Sequence, residues 1–161
     1  MRNLDEIATR NSKLYSRILI SRVRDLMLDI RQTELAPYDV SPRQAFILEI
    51  LFKLGHSATL AQLAKHNERE ANTISVQMTK MEKEGLVRKV RKSAKSTLLT
   101  YELTKKGLQI YQQTKKQTSE KVIMSALSEE ERQIVMAFLI KILTKAEKYR
   151  EVQLEEYRSL K

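Results

Sequence analysis

The 161-residue sequence contains no cysteine and no tryptophan, three glycines, two prolines and 6% aromatic residues. Without thiols the chain forms no disulfide and no zinc site built on thiolates, and it has no thiol nucleophile or thiol redox sensor. Glycine and proline interrupt helices, so their scarcity predicts long helices. The N-terminus has no signal-type apolar segment, and no apolar run reaches membrane-spanning length. We therefore expect a cytoplasmic protein that does not contact a membrane.

The sequence also lacks the patterns of common catalytic sites. It contains no HExxH, no glycine-rich phosphate loop and no GxSxG. The only histidines, His56 and His66, lie near predicted helix ends, where capping or surface roles are expected. The acidic run 129–131 occupies a predicted first helical turn, where carboxylates interact favourably with the helix dipole. We expect no enzymatic activity, no cofactor and no metal site.

Positive charge is what the sequence has in excess, and it is concentrated in one segment. The net charge is +10, and residues 83–106 contribute eight basic residues against two acidic ones, a net charge of +6. Residues 128–161, by contrast, carry seven of each sign. A focused excess of this kind indicates a surface that meets a polyanion, with a solvated lysine-rich face as the alternative.

Capping signals and apolar periodicity divide the chain into a central module between long terminal helices. An apolar stripe predicts a helix over about 5–34. In the module, capping boxes at Ser41 and Thr59 open two short helices, and a third follows over 70–84. Two β-prone runs then flank a polar tip at 93–96, which predicts a hairpin.

Two further helices follow the hairpin. Thr104 caps one that is predicted to reach about Ser125, and a capping box at Ser128 opens the last, which runs to about Glu156. We predict a mainly α (α+β) fold with an N-terminal dimerisation helix (1–36), a winged helix-turn-helix module (37–106) and C-terminal dimerisation helices (107–161). The terminal stripes need a partner, and a second copy is the simplest. The predicted dimerisation residues are Leu14, Ile18, Val135, Phe138, Ile142 and Tyr149.

The predicted third helix has an apolar stripe of Ala71, Ile74, Met78 and Met81, and its other faces carry short hydrogen-bonding side chains. In a winged helix-turn-helix this helix enters the major groove of double-stranded DNA. Amide side chains pair with adenine, and a valine contacts the thymine methyl group. The predicted DNA-binding residues of this helix are Arg69, Asn72, Thr73, Ser75, Val76, Gln77, Thr79 and Lys80.

Residues on the hairpin and at helix N-termini are expected to contact the DNA backbone. Such contacts position the protein without reading sequence, and they make binding depend steeply on salt. The predicted wing and phosphate contacts are Ser41, Arg43, Thr59, Lys83, Arg88, Arg91, Lys92, Lys95 and Ser96.

Several motifs together resemble the MarR family of bacterial transcriptional regulators. They are Ser41-Pro-Arg-Gln, Leu60-Ala-Gln-Leu-Ala, Thr73-Ile-Ser, Met81-Glu-Lys-Glu-Gly-Leu-Val and Leu103-Thr-Lys-Lys-Gly. The motifs cover about residues 38–110, and the flanking helices agree in length and placement. The resemblance implies a homodimer, usually a repressor, that binds a pseudo-palindromic site and in many members is released by a small ligand, often aromatic or anionic.

Two segments depart from the family pattern. Asn67 and Arg69 stand where apolar residues are frequent, and Glu70 stands where a Ser or Thr cap is usual. We therefore expect Arg69 and Glu70 to form polar contacts before the third helix. The wing tip lacks the family's Asp and Arg, which leaves wing contacts to Lys95 and the flanking arginines.

The resemblance places an effector pocket between the first helix, the helix at 42–54 and the last helix. Its candidate lining residues are Tyr15, Arg17, Tyr38 and Phe46, for which a role in the core is the alternative. Two other functions stay open at this point. The amphipathic ends could grip another protein, as in an adaptor, or the basic surface could bind nucleic acid without sequence preference.

Overall fold

The computed structural model describes residues 12–67, 69–91, 99–115 and 119–159. They form two compact units that divide between Gln117 and Thr118. The first unit contains α1 (Ser12–Leu35), a 3-10 turn (Ala36–Tyr38), α2 (Pro42–Lys53), β1 (Ser57–Thr59), α3 (Leu60–Asn67), α4 (Ala71–Lys83), β2 (Val87–Arg91), β3 (Leu99–Leu103) and α5 (Lys105–Thr114). The second contains α6 (Ser119–Met124) and α7 (Glu129–Ser159).

The predicted capping boxes at the starts of α2 and α3 are confirmed. Ser41 Oγ accepts a 3.3 Å hydrogen bond from the Gln44 N–H, and the Ser41 N–H donates to Gln44 Oε1 at 2.8 Å. Thr59 and Gln62 make the same pair of bonds at 3.2 and 2.9 Å. Each box satisfies backbone donors that a helix N-terminus leaves free, so the sequence signal marks where these helices begin.

The small sheet is antiparallel, with strand order β1-β3-β2. The hairpin of β2 and β3 was predicted, but β1 was not. Three residues are too few to show the alternation by which a strand is identified in a sequence. β1 pairs with β3 so that Ala58 lies opposite Tyr101, and both side chains are buried. The sheet thereby joins the turn after α2 to the hairpin.

One continuous core lies among the helices and the sheet of the first unit. Helix α2 contributes Ile47, Leu48 and Leu51, each fully buried. Helix α5, grouped by the sequence analysis with the C-terminal helices, adds Ile110 and Tyr111 to the same core. The domain core therefore extends past residue 106.

The prediction of a single helix from Thr104 to about Ser125 is wrong, because α5 ends at Thr114. Arg31 donates a 3.4 Å hydrogen bond to the Thr114 carbonyl, and the Lys115 N–H donates to the Tyr111 carbonyl at 2.9 Å. The Thr114 carbonyl thus accepts a hydrogen bond from a side chain of α1.

In the second unit, α7 begins at the predicted capping box. The Ser128 N–H donates to Glu131 Oε2 at 2.7 Å, and Ser128 Oγ accepts from the Glu131 N–H at 3.2 Å. None of the 31 residues of α7 is buried. Among the described residues, no helix is long and apolar enough to cross a membrane.

Candidate nucleic-acid interface

Helix α4 separates its buried and exposed side chains sharply. Ile74, Met78 and Met81 are 0% exposed, whereas Val76 on the outer face is 74% exposed. Ala71, predicted to belong to the buried stripe, is exposed because the stripe starts one turn later. The predicted DNA-contacting residues divide into an exposed set and two half-buried residues, Ser75 and Gln77. The exposed set is Arg69, Asn72, Thr73, Val76, Thr79, Lys80 and Lys83.

Thr79 presents less hydrogen-bonding capacity than its residue type suggests. Its hydroxyl donates to the Ser75 carbonyl at 3.0 Å. A threonine bonded back to its own helix in this way presents its methyl group and its oxygen lone pairs to a ligand. Asn72, in contrast, is exposed and offers both an amide donor and an acceptor.

The N-terminal end of α4 has no side-chain cap. Glu70 occupies the N-cap position in an extended conformation, and its carboxylate makes no capping hydrogen bond. Arg69 is exposed, and its backbone N–H donates to the Ala64 carbonyl at 3.1 Å. The first-turn N–H groups thus receive no bond from Glu70, and a helix N-terminus of this kind attracts anions such as phosphate.

The C-terminal end of α4 is held by several bonds. Glu84 accepts a hydrogen bond on its carboxylate from the amide of the buried Gln44, and its backbone carbonyl accepts from Lys106 Nζ at 2.8 Å. Thr104 Oγ1 donates to the Gly85 carbonyl at 2.7 Å while accepting from the Gly107 N–H at 3.0 Å. These contacts join the end of α4 to the start of α5.

The same junction explains why the Glu-Gly-Leu-Val and Leu-Thr-Lys-Lys-Gly motifs occur as a pair. Gly85 turns the chain after α4 with φ +72°, a conformation that favours glycine. A Cβ atom on Gly107 would lie 2.1 Å from the Leu86 carbonyl oxygen, so only glycine allows this approach. The glycines and Thr104 therefore bring the Glu-Gly-Leu-Val and Leu-Thr-Lys-Lys-Gly segments together.

The wing strands place their basic residues on opposite faces. Arg88 lies directly across from Glu102 on β3, and its Nη2 is 2.8 Å from Glu102 Oε2. Lys89 and Arg91 are on the same strand, and Lys89 Nζ lies 5.9 Å from the centre of the Tyr101 ring. Since side chains alternate along a strand, Arg88 and Arg91 point to opposite sides of the sheet.

Two consequences follow for the predicted wing contacts. Arg88 must leave or share Glu102 to contact a phosphate, which weakens it as a candidate. Lys89 was not among the predicted contacts, but it joins Arg91 as an exposed cation on the other face. Residue type alone does not specify the strand register that places these side chains. Lys92, Lys95 and Ser96 lie outside the described residues.

The side chains predicted to contact phosphate at the starts of α2 and α3 include two hydroxyls that already make hydrogen bonds within the protein. The hydroxyls of Ser41 and Thr59 donate to the Gln44 and Gln62 side chains at 3.0 and 3.1 Å. Arg43 is exposed beside Ser41. The arginine is therefore the more available phosphate contact at this helix start.

The terminal helices expose the apolar residues that were predicted to mediate dimerisation. Leu14 and Ile18 on α1 and Phe138 and Ile142 on α7 are each more than 40% exposed. Val135 is 37% and Tyr149 63% exposed. In the described structure these stripes lie open to solvent.

The four candidate effector residues have different surroundings. Tyr38 packs against the core, Tyr15 is half-buried, and Phe46 is 48% exposed. Arg17 lines an open groove of about 560 Å³ along α1. The other lining residues of that groove are Ile18, Ser21, Arg22, Asp25, Leu26 and Asp29.

Among the described residues, the pKa is shifted at Lys53 and at Glu129, and neither residue belongs to the candidate interface. A hydrogen bond to Glu49 raises the pKa of Lys53, and a hydrogen bond from Arg132 lowers the pKa of Glu129. Within the described part of the chain, no group of three or more histidine, aspartate or glutamate side chains could hold a metal ion.

Comparisons with known proteins agree with this geometry. Residues 40–107 match the family model of the winged helix DNA-binding domain. This segment is therefore a winged helix domain, and its third helix is α4. A comparison with curated protein sequences finds no significant match.

Three solved structures share the fold of most of the chain. AbsC, a MarR family transcriptional regulator from Streptomyces coelicolor, has a TM-score of 0.76 at 19% identity, covering 86% of this chain and 96% of that one. The organohalide-sensing regulator RdhR bound to 2,4-dichlorophenol has a TM-score of 0.75 at 22% identity, covering 90% of this chain and 87% of that one. MepR from Staphylococcus aureus, solved in complex with DNA, has a TM-score of 0.71 at 22% identity, covering 80% of this chain and 96% of that one.

At these identities the likeness is one of fold. Together with the winged helix match, it confirms the predicted resemblance to the MarR family, and the matched family model identifies a DNA-binding domain.

Proposed function

We propose that this chain is a MarR-family transcriptional regulator that binds double-stranded DNA sequence-specifically through α4. The observation that carries the proposal is the outer face of this helix. Three fully buried side chains hold α4 in the core, while Asn72, Thr73 and the 74% exposed Val76 point away from it. A valine among short polar side chains suits contact with base edges better than contact with water alone.

The exposed residues divide into base readers and backbone contacts. Asn72 pairs with adenine through its amide, and Val76 packs against a thymine methyl group. Lys80, Lys83 and Arg69 contact phosphates, as does the uncapped N-terminus of α4. Arg43, Lys89 and Arg91 extend the phosphate-contacting surface beyond α4. This division predicts that substitutions in the two classes have different effects on specificity.

The regulator acts as a homodimer in this proposal. The apolar stripes of α1 and α7 are exposed in the single chain, although most helices in proteins derive their stability from packing such a stripe. Monomeric proteins rarely leave large contiguous apolar surfaces open. A second copy covers both stripes and places two copies of α4 on a pseudo-palindromic site.

Regulation by a small molecule completes the proposal, with repression as the direction of control. The structural neighbour RdhR senses organohalides and was solved with 2,4-dichlorophenol. The groove on α1 combines the arginines Arg17 and Arg22 with the apolar Ile18 and Leu26. Asp25 and Asp29 line the same groove, so its charges balance and its lining favours no sign of ligand charge.

Selection of duplexes from a randomised pool, followed by fluorescence anisotropy across a salt series, tests the proposal. We expect the enriched duplex to bind at least about 10³-fold more tightly than a random one, at two chains per duplex. Asn72→Ala should cost about 1–3 kcal/mol on the enriched duplex and relax selection at one position of each half-site. Lys83→Ala is the matched control, because loss of a phosphate contact weakens both duplexes alike and flattens the salt slope.

Other outcomes would point to different functions. Equal, salt-sensitive binding of both duplexes would indicate nonspecific nucleic-acid binding. No duplex binding by a monomeric protein would favour the adaptor.

A further inference from the structure

The carboxylate of Glu84, at the C-terminal cap of α4, has a different partner on each oxygen. Its Oε2 accepts the hydrogen bond from Gln44 Nε2, and its Oε1 lies 3.7 Å from Lys80 Nζ. Gln44 is 2% exposed, whereas the Lys80 side chain is 64% exposed. One side chain thus joins the buried part of α2 to a lysine on the surface proposed to face DNA.

The amide of Gln44 is held at both of its polar atoms. Its Oε1 accepts from the N–H and the hydroxyl of Ser41 in the α2 capping box. An amide presents its acceptor and its donors on opposite sides. With the acceptor directed at Ser41, the Nε2 group is directed at Glu84. The start of α2 therefore determines the position of the Glu84 carboxylate.

The two ends of α4 are consequently held to different degrees. At the N-terminal end Glu70 provides no side-chain cap. At the C-terminal end Glu84 is bonded through its carboxylate to Gln44 and through its carbonyl to Lys106. The buried Ile74, Met78 and Met81 hold α4 against the core, and side-chain hydrogen bonds add a further constraint at its C-terminal end.

We propose that Gln44 and Glu84 are positioning residues whose hydrogen bond determines how well α4 discriminates between DNA sequences. The inference rests on the proposed DNA-binding function and deepens it. Base readout requires side chains to be held within about 0.5 Å, and charge contacts to phosphates tolerate larger errors. A small rotation of α4 should therefore reduce specific binding more than nonspecific binding.

We call the hydrogen bond between Gln44 and Glu84 the bridge. The substitution Gln44→Glu disrupts this bridge but keeps the capping bond to Ser41. Glutamate at this position still accepts from the Ser41 N–H, because capping boxes use Glu or Gln there. It also places a second carboxylate against Glu84. We expect affinity for the enriched duplex to fall about tenfold and affinity for a random duplex to change less than about threefold.

The double variant Gln44→Glu with Glu84→Gln is the decisive test. It restores one amide and one carboxylate with their positions exchanged, at the same net charge as the original chain. We expect the ratio of enriched to random affinity to return to within about twofold of its original value. A role of Gln44 that depended only on core packing would not be restored by a change at Glu84.

Gln62→Glu is the matched control. Gln62 has the same position in the α3 capping box, lies exposed, and acquires the same charge. We expect this variant to keep the affinity ratio. Hydrogen exchange of the Glu84 and Leu86 amides, which bond to Lys80 and Met81 carbonyls, measures the end of α4 without DNA. Exchange there should accelerate in Gln44→Glu and recover in the double variant.

An unchanged affinity ratio in Gln44→Glu, or a reduced ratio that the double variant fails to restore, would overturn the inference. A thermal melt identifies a variant that has lost its fold, and the exchange data still report on the bridge in the double variant. If the original chain shows no duplex preference, the proposed function fails. In that case, restored protection of the Glu84 and Leu86 amides in the double variant would still show that the Gln44–Glu84 hydrogen bond forms.

Discussion

Helices α2 and α7 are both rich in apolar residues but differ completely in burial. Six of the twelve residues of α2 are buried, and none of the 31 residues of α7 is. The apolar residues of α2 lie in the core of the first unit, whereas those of α7 face solvent throughout the described chain. The comparison shows that apolar residues at helical spacing identify a helix with an apolar face to bury. They do not show whether that face is buried within the same chain or against a partner.

The largest expected effect comes from a matched pair of leucines in these two helices. Leu48 of α2 is 0% exposed, and Leu143 of α7 is 48% exposed. Leu48→Ala should lower the free energy of unfolding by about 2–5 kcal/mol, because it leaves a cavity in a packed core. Leu143→Ala should cost less than about 1 kcal/mol at protein concentrations that keep the chain monomeric.

Urea denaturation monitored by circular dichroism measures both variants. Equal losses for the two would show that α7 is already covered within a single chain, and the contrast with α2 would disappear.

A second substitution asks what covers α7. Phe138 is 62% exposed on the predicted dimerisation stripe. Phe138→Asp should weaken self-association by about 2 kcal/mol or more, roughly 30-fold, because it buries a charge in an apolar interface. Sedimentation equilibrium over a concentration series measures the change in dimer dissociation.

Met136→Asp is the control for this experiment. Met136 is 50% exposed and lies two residues away, on the opposite side of the helix. If it disrupts the dimer as strongly as Phe138→Asp does, the interface covers both faces of α7. If neither does, the exposed stripe has another partner.

The smallest expected difference lies between two helix caps. Thr104 caps α5 and also donates to the Gly85 and Leu86 carbonyls, while Ser128 caps the exposed start of α7. Thr104→Ala should cost about 2 kcal/mol and Ser128→Ala about 0.5–1 kcal/mol, because the further bonds of Thr104 to two carbonyls are partly buried, whereas the further bond of Ser128 to Glu130 is exposed to solvent.

Thermal unfolding followed by helical circular dichroism compares the two caps. Matching losses would show that the contacts from Thr104 to the end of α4 add little to its cap. A larger loss at Ser128 would contradict the assignment of α5, rather than α7, to the packed core.

Local signals in the sequence predicted most of the helix boundaries. Ser41, Thr59, Thr104 and Ser128 each cap the predicted helix. These predictions succeeded because a cap depends on residues within one turn of each other. The end of α5 has no comparable local signal, and the Arg31 side chain that bonds to its last carbonyl lies 83 residues away in the sequence.

Side-chain roles within the candidate interface were predictable only in part. The stripe of Ile74, Met78 and Met81 follows from helical periodicity, and so does the exposed position of Asn72. The pairing of Arg88 with Glu102 depends on strand register, which residue type alone does not specify. The wing prediction therefore named Arg88 and omitted Lys89.

The sequence by itself determined where most helices begin, the two strands of the hairpin, the basic segment and the polar outer face of α4, because periodicity, capping and charge are local properties. Tertiary structure decided which apolar faces are covered, which cations are already paired, and how the end of α4 is joined to α2 and α5. The bond between Gln44 and Glu84 spans 40 residues, and no local pattern encodes it. Such contacts form only when the whole domain brings distant segments within hydrogen-bonding distance.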